Sequence, residues 1–245
     1  MPNEAFDFFY MENEKPLSDL AREYMDLLLE CNRNKAHQVI QDALRGGLSI
    51  PDLYLTIFQP VQYELGRLWL FSKISGAEEH FCTAATQTLM LELYQDIISS
   101  SRSGMTLVAA CAGAELHEIG IRMVADFFEM DGWDTWYLGS AVSVDLLVSA
   151  IVQRKPDLVA LSVTMSSHVG QVKELINAIK GAFTGTAPPI MVGGVIFNTI
   201  PDLWRVVGAD LWAINAEQAV LAARELLPPK IPEQSENMHA YTSEQ

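Results

Sequence analysis

The second half of the chain alternates short apolar runs with amphipathic stretches, and this alternation restricts the fold more than any other feature of the sequence. The apolar runs have the length of buried strands and cover residues 105–111, 135–138, 158–162, 190–192 and 211–214. The amphipathic stretches have the spacing of helices and cover residues 118–131, 143–154, 168–182, 199–206 and 216–227. Strands that alternate with helices predict an α/β domain over residues 105–227, with a doubly wound, parallel five-stranded sheet of the flavodoxin or Rossmann type.

The first half of the chain has a helical pattern throughout. Apolar residues recur at three- and four-residue spacing in residues 17–31, 35–46, 50–69 and 77–98. Helices joined by short turns predict an antiparallel four-helix bundle, which we assign to residues 16–99 as a cap domain. The acidic residues 1–15 are predicted to be a flexible arm. Residues 228–245 are polar and contain proline, and they are predicted to be a disordered tail.

The charge balance argues against nucleic acid and membranes as direct partners. Sixteen basic side chains stand against 31 acidic ones, which gives a formal net charge of −15. Such a chain has no broad attraction for a phosphate backbone or an anionic bilayer. The start lacks the features of a signal peptide, and no apolar run approaches the length of a membrane span. These features predict a cytoplasmic protein.

A histidine follows the first predicted strand at the edge where ligands bind. His117 lies in the loop after that strand, with Glu115 two residues before it and Gly120 at the start of the next helix. A neutral imidazole can ligate a metal while a carboxylate holds its other ring nitrogen. Gly120 would let the helix start pack closely under a flat ligand. Position alone leaves the alternative open that His117 is an ordinary loop residue.

Small and hydroxyl-bearing residues follow two other strands. Ser162 and Thr164 end the third strand, and Gly193 and Gly194 end the fourth. Taken singly, the two hydroxyl residues are consistent with a cap at the end of a strand, and the two glycines with a simple turn. Because the strands are parallel, the residues converge with His117 on one edge of the sheet. The sequence has no dinucleotide fingerprint after the first strand and no phosphate-binding lysine loop, so ordinary nucleotide binding is not favoured.

These residues resemble a known signature. The sequences Glu-Leu-His-Glu-Ile-Gly at 115–120, Ser-Val-Thr at 162–164 and Gly-Gly at 193–194 resemble the cobalamin-binding domain of methionine synthase, mutases and corrinoid proteins. The family pattern is DxHxxG, then SxL or a variant, then GG. The resemblance implies that His117 is the lower cobalt ligand and that Glu115 orients it. It also implies a buried channel for the nucleotide tail, lined by Ser162, Thr164, Gly193 and Gly194.

The glutamate in the first motif is the form found in light sensors of the CarH/LitR type. The stretch Gly66-Arg67-Leu68-Trp69, then Glu78-Glu79-His80, is similar to the bundle of those photoreceptors. The resemblance implies adenosylcobalamin, or another form of cobalamin, as the cofactor. It also implies that Trp69 covers the upper face, where Glu79 and His80 form hydrogen bonds to the adenosyl group. Leu70 departs from the pattern, because the photoreceptor has a histidine there that binds cobalt after photolysis.

Three functions follow from this resemblance. The first is a light- or cobalamin-responsive regulator that acts through a protein partner, such as a transcription regulator, or through self-association as a homo-oligomer. The alternative is a corrinoid carrier in methyl transfer. The third is a scaffold whose site has degenerated, which the intact motifs disfavour. We find no acid–base pair of the kind that supports independent catalysis, and we therefore predict no enzyme turnover and no direct binding of nucleic acid.

Overall fold

The first half of the chain folds into a helical domain. The structure, a computed structural model, describes residues 17–98 and 101–227, so the predicted arm (1–15) and tail (228–245) lie outside the described residues. The helices are α1 (Asp19–Leu29), α2 (Arg33–Arg45), α3 (Ile50–Leu53), α4 (Gln59–Leu70), α5 (Gly76–Glu92) and α6 (Tyr94–Ile97). A π-helical turn, Tyr54–Phe58, joins α3 to α4 without a break.

Local sequence signals explain where these helices begin. Ser49 caps α3 by accepting a hydrogen bond from Asp52 N–H, and Pro51 occupies the first turn. Ser75 and Glu78 form a reciprocal capping box at the start of α5. The π turn adds a residue to the continuous helix that runs from α3 through α4. It brings Tyr54 to the side of this helix that faces the second domain.

The second half of the chain is an α/β domain with an all-parallel sheet in the order β2-β1-β3-β4-β5. Its strands are β1 (Thr106–Cys111), β2 (Asp134–Gly139), β3 (Leu158–Ser162), β4 (Ile190–Gly193) and β5 (Leu211–Trp212). Its helices are α7 (Ile119–Met130), α8 (Val144–Arg154), α9 (Val169–Gly181), α10 (Val195–Thr199), α11 (Leu203–Val206) and α12 (Ala216–Leu226). The predicted fold class is confirmed, with a flavodoxin-like strand order. Within the described ranges no helix is long and apolar enough to cross a bilayer.

One predicted helix differs from the structure. Residues 199–206 were expected to form a single helix, whereas the chain forms the two short helices α10 and α11. Pro201 disfavours helical backbone at the preceding residue, and Ile200 is extended with φ −109° and ψ 110°. Asp202 then starts α11 in the left-handed region with φ 59°. The helical spacing of the apolar residues hid this interruption.

The two domains share one hydrophobic core and a buried polar contact. Tyr54 donates a hydrogen bond of 2.9 Å to Oδ2 of Asp126 on α7, and Arg122 Nε–H donates to Oδ1 at 2.9 Å. The Arg122 guanidinium lies 5.3 Å from the ring centres of both Tyr94 and Tyr137. Burial raises the pKa of Asp126, although Arg122 and the Tyr54 hydroxyl lower it in part. These contacts fix the bundle against α7, which carries one wall of the site.

Replacing Tyr54 with phenylalanine is expected to destabilise the protein by about 1.5–3 kcal/mol, since buried Asp126 loses a donor. Tyr24→Phe is the matched control because its hydroxyl contacts Thr86 within the bundle. The control is expected to cost about 1 kcal/mol. Urea unfolding of both variants measures the difference. Equal losses would show that the Tyr54 contact adds nothing beyond an ordinary buried hydrogen bond.

Candidate functional site at the carboxyl edge of the sheet

A cleft opens between the bundle and the carboxyl ends of β3, β4 and β5. Its free space, including the open mouth, is about 1030 Å³. The walls come from the π turn and α4 of the bundle, from α7, from the start of α12 and from the sheet edge. Several residues singled out in the sequence line this cleft together: His117, Gly120, Ser162, Thr164, Gly193 and Gly194.

Glu115 is the buried centre of the site. Its side chain has no exposed surface, and its Oε1 atom accepts hydrogen bonds from the backbone N–H groups of Leu116 and His117, each at 3.0 Å. The same oxygen accepts a hydrogen bond from His117 Nδ1–H. Since a carboxylate can only accept, the neutral form of His117 carries its proton on Nδ1 and keeps the lone pair on Nε2.

The other carboxylate oxygen of Glu115 ties the loop after β3 to the loop after β1. Oε2 accepts hydrogen bonds from the backbone N–H groups of Thr164 at 2.9 Å and Met165 at 3.0 Å. It also contacts His168 Nδ1 at 3.2 Å. Glu115 therefore connects two histidines from two loops, one on each oxygen.

The electrostatics of this group follow from its contacts. Burial alone would raise the pKa of Glu115, yet hydrogen bonds from His117 and from the backbone of Met165 outweigh it and hold the pKa far below its usual range. The hydrogen bond to Glu115 raises the pKa of His117 against the effect of burial, and the negative charge of Glu79 acts in the same direction. The His117 side chain is 44% exposed, so its Nε2 is accessible from the cleft.

Two glycines at the cleft are needed for different reasons. A Cβ atom at Gly120 would meet no atom within 4 Å, so the start of α7 presents open space to the cleft. Gly194 has φ 106°, and a Cβ there would lie 2.0 Å from the Val163 carbonyl oxygen. A side chain at Gly194 would therefore push β3 and β4 apart, whereas one at Gly120 would occupy the cleft.

Ser162 supplies a buried hydroxyl without a protein partner. The residue is 6% exposed, and within the described parts of the chain no group forms a hydrogen bond with its hydroxyl. A buried polar atom of this kind calls for a ligand or a water molecule. Together with the accessible His117 Nε2 and the open space at Gly120, it fits a large ligand that spans the mouth and the depth of the cleft.

The bundle residues expected above the cofactor lie away from the cleft walls. Trp69 is 40% exposed and packs against the start of α5 at Gly76. Glu79 accepts a hydrogen bond from Thr83 at 2.9 Å and contacts His80 Nδ1 at 2.6 Å. The His80 side chain is 85% exposed. The structure therefore brings the strand-end residues together but does not bring Trp69 and His80 to them.

Leu70 packs against a residue that lines the cleft. That residue is Val195 of the α/β domain, against which Tyr63 of the bundle and Met165 also pack. Leu70 is at the position where the photoreceptor pattern has a histidine. In this chain Leu70 makes an apolar contact at that position.

Sequence reasoning missed His168, the second histidine on Glu115. His168 belongs to no recognised sequence motif, and it lies in the short 3-10 turn Ser166–His168 after β3. The one available signal was that a polar residue closely follows a strand whose end faces the site. Gln59, Gln62 and Tyr63 of the bundle also line the cleft and were not identified, because their helical spacing resembles that of ordinary core and surface positions.

His168→Ala is expected to lower the affinity for a ligand held by His117 by about tenfold, since partners that orient a ligating histidine typically contribute 10–100-fold. His37→Ala is the matched control, because His37 pairs with Glu92 on the surface of the bundle. Titration of the metal-bearing ligand measures both affinities. An affinity equal to that of His37→Ala would show that His168 does not position Glu115.

Comparison with known families gives two matches. The B12 binding domain family matches residues 105–224, and a second B12 binding domain family matches residues 20–94. The first covers the α/β domain and the site residues, and the second covers the helical bundle. The two halves of the cleft therefore come from two domains of the same functional class.

The relatives are corrinoid proteins and a repressor. The chain is 24% identical over 216 residues to the dimethylamine corrinoid protein of Methanosarcina barkeri, covering 85% of this chain and 98% of that protein. It is 26% identical over 202 residues to trimethylamine corrinoid protein 2 of Methanosarcina acetivorans, covering 80% and 90%. The HTH-type transcriptional repressor CarA of Myxococcus xanthus is 28% identical over 124 residues, which are 50% of this chain and 42% of the repressor.

A solved structure has the same fold. The monomethylamine corrinoid protein of Methanosarcina barkeri superposes with a TM-score of 0.73, at 20% identity, over 84% of this chain and 97% of that protein. The match includes both the helical domain and the α/β domain. It establishes the shared architecture.

Proposed function

Because the chain carries two B12-binding domains and is a cobalamin-binding protein, we propose that it is a corrinoid carrier that exchanges a methyl group with methyltransferase partners. The observation that carries this proposal is the buried Glu115, which holds His117 with Nε2 open to the cleft. The near full-length similarity to methylamine corrinoid proteins supports the carrier in preference to the light sensor.

Different residues of the cleft would hold different parts of the cofactor. His117 would ligate cobalt through Nε2, with Glu115 fixing the ring and His168 fixing the carboxylate. Gly120 would leave room for the corrin ring. Bound cobalamin supplies a cobalt atom that accepts and releases a methyl group.

The remaining residues would position the nucleotide tail and limit the access of other proteins to the cofactor. Ser162 offers its unpaired hydroxyl inside the channel, while Gly193 and Gly194 let the tail pass close to the strand ends. Leu70 and Tyr63 of the bundle pack against Val195, and this apolar contact joins the bundle to the α/β domain beside the cleft. A partner enzyme must displace this apolar contact to reach the cofactor.

The carrier and the sensor differ in their response to light. We expect the protein to keep its size in chromatography when it is loaded with adenosylcobalamin in darkness and then exposed to green light. When loaded with methylcobalamin, it is expected to give up the methyl group to a thiol in the presence of a corrinoid-dependent methyltransferase. A change of size on illumination, combined with no methyl transfer, would contradict the carrier.

A light-responsive regulator is the second candidate. It is supported by the partial similarity to CarA and by Glu79, whose charge reaches His117 from the bundle. The exposed position of His80 and the apolar contact of Leu70 give it less support. Selective retention of adenosylcobalamin over methylcobalamin, lost in Trp69→Ala, would favour this candidate.

A further inference from the structure

A chain of hydrogen-bonded side chains inside the helical bundle ends at Gln62, on the bundle wall of the cleft. We propose that the Gln62 carboxamide contacts the upper axial ligand of a bound corrinoid and favours a ligand that accepts a hydrogen bond over a methyl group. The inference rests on the proposed binding of cobalamin with His117 on cobalt, and it adds a residue that distinguishes two forms of the cofactor.

Two threonines of α5 hold the Gln62 carboxamide from both ends. Gln62 Nε2–H donates a hydrogen bond to Thr86 Oγ1 at 3.0 Å, and the Thr83 hydroxyl donates to Gln62 Oε1 at 2.8 Å. Thr86 has no exposed surface, and its hydroxyl also lies 3.0 Å from that of Tyr24, which is equally buried. Contacts at both ends restrict the amide to one orientation, because a rotation would break at least one of them.

The threonines do not need Gln62 in order to be satisfied. The Thr86 hydroxyl donates to the Cys82 carbonyl oxygen at 3.0 Å, and the Thr83 hydroxyl lies 2.9 Å from Glu79 Oε1. An apolar residue at position 62 would therefore leave neither hydroxyl hydrogen without an acceptor. The two contacts serve to orient the amide of a residue that lines the cleft.

The amide has one donor left for a ligand. A carboxamide carries two N–H groups and one carbonyl oxygen. The oxygen and one N–H are used by the threonines, while nothing in the described parts of the chain accepts from the second N–H. His117 reaches the cleft from the loop after β1, and Gln62 reaches it from α4 on the bundle side. A ring bound to His117 Nε2 therefore turns its other face toward the wall that carries this donor.

The other residues of the bundle wall are less suited to this role. They are Tyr54, Leu55, Gln59 and Tyr63. The Tyr54 hydroxyl already donates to a buried carboxylate of α7, and Leu55 is apolar. Within the described residues Gln59 has one side-chain contact, from its Nε2–H to the Tyr63 hydroxyl at 3.1 Å. An amide held at one end is free to turn, whereas Gln62 is held at both.

The chemistry of the upper ligand decides whether the free N–H finds a partner. Hydroxide on cobalt has oxygen lone pairs and a negative charge, and hydrogen bonds to charged acceptors are stronger than those between neutral groups. A methyl group has no acceptor, so the N–H would be enclosed without a partner, which costs free energy. Gln62 should therefore raise the affinity for the hydroxide form relative to the methyl form.

The test compares hydroxocobalamin with methylcobalamin on the full chain. Both are titrated in darkness and in alkaline buffer, where the upper oxygen ligand is hydroxide, and the ratio of the two affinities is measured. Gln62→Met keeps the length of the side chain without the amide, and it is expected to lower the ratio of hydroxo to methyl affinity by about tenfold. Thr83→Val removes one of the two contacts that hold the amide, and it is expected to lower the ratio several-fold.

Thr88→Val is the matched control, because the Thr88 hydroxyl bonds the Ala84 carbonyl oxygen on the exposed side of α5. It is expected to leave the ratio unchanged. An unchanged ratio in Gln62→Met, with a melting temperature close to that of the unaltered protein, would overturn the inference, even if both affinities fell together. If Gln62→Met does not fold, an unchanged ratio in Thr83→Val overturns it instead. Failure of the unaltered protein to bind either form would overturn the proposed function itself.

Discussion

Replacement of His117 by alanine is expected to weaken cobalamin binding by about 100-fold or more, since the partners of a ligating histidine alone contribute 10–100-fold. The side chain is 44% exposed and its ring is held by Glu115, so its loss removes a ligand without emptying the core. The variant should therefore fold and melt close to the unaltered protein. Its bound cofactor, at saturating concentration, should show an absorption spectrum without a histidine ligand.

The His117 result is checked by equilibrium titration followed by absorption spectroscopy, with the surface variant His37→Ala as control. Imidazole added to His117→Ala offers a rescue, because a free imidazole can occupy the space that the side chain leaves. Unchanged affinity together with an unchanged spectrum would remove His117 from the role of lower ligand. A lost affinity caused by unfolding would appear as a lowered melting temperature, so the two causes are distinguishable.

Replacement of Glu115 by alanine is expected to lower both stability and affinity. The variant removes a fully buried carboxylate and leaves the partly buried backbone N–H groups of residues 116, 117, 164 and 165 without their partner. We expect a loss of about 3–5 kcal/mol in the free energy of unfolding, the range for breaking a buried charged contact. Cobalamin affinity should fall by about 10–100-fold, because the His117 ring is no longer oriented.

The Glu115 result is measured by urea unfolding of the cofactor-free protein and by titration with cobalamin. Glu92→Ala on the bundle surface, where the carboxylate is 45% exposed, is the matched control and should change either value little. Glu115→Asp keeps the charge on a shorter side chain and should recover part of both losses. A stability loss no larger than that of Glu92→Ala would contradict the central place given to Glu115. Such a result would mean that the two loops are joined by other contacts.

The α/β domain could be predicted from sequence because its pattern is redundant. Buried strands alternate with amphipathic helices five times, so small errors in boundaries do not change the topology. The helix break at Pro201 was not predicted, because the helical spacing of apolar residues continues through it. The proline itself was the available signal for a break. The π turn at Tyr54–Phe58 could not be foreseen, since an extra residue in a helical turn leaves no distinctive composition.

The site was predictable where it depends on strand ends and obscure where it depends on tertiary packing. His117, Ser162 and Gly193 converge because parallel strands end at one edge. His168 joins Glu115 only through the path of the loop after β3, which no periodic pattern encodes. The orientation of α5 is likewise set by packing, and it leaves the His80 side chain exposed although the spacing resembled that of a cofactor contact.

The most direct test of the account is an electron paramagnetic resonance spectrum of the protein loaded with cobalamin and reduced to the cobalt(II) form. The protein is prepared twice, once with histidine labelled with nitrogen-15 and once without the label. We predict that the unlabelled protein shows cobalt lines split into triplets and the labelled protein shows doublets, because a histidine nitrogen lies on the lower side of cobalt. Triplets in both preparations would mean that the cofactor keeps its own base, and unsplit lines would mean that no nitrogen is bound; either result would contradict ligation by His117.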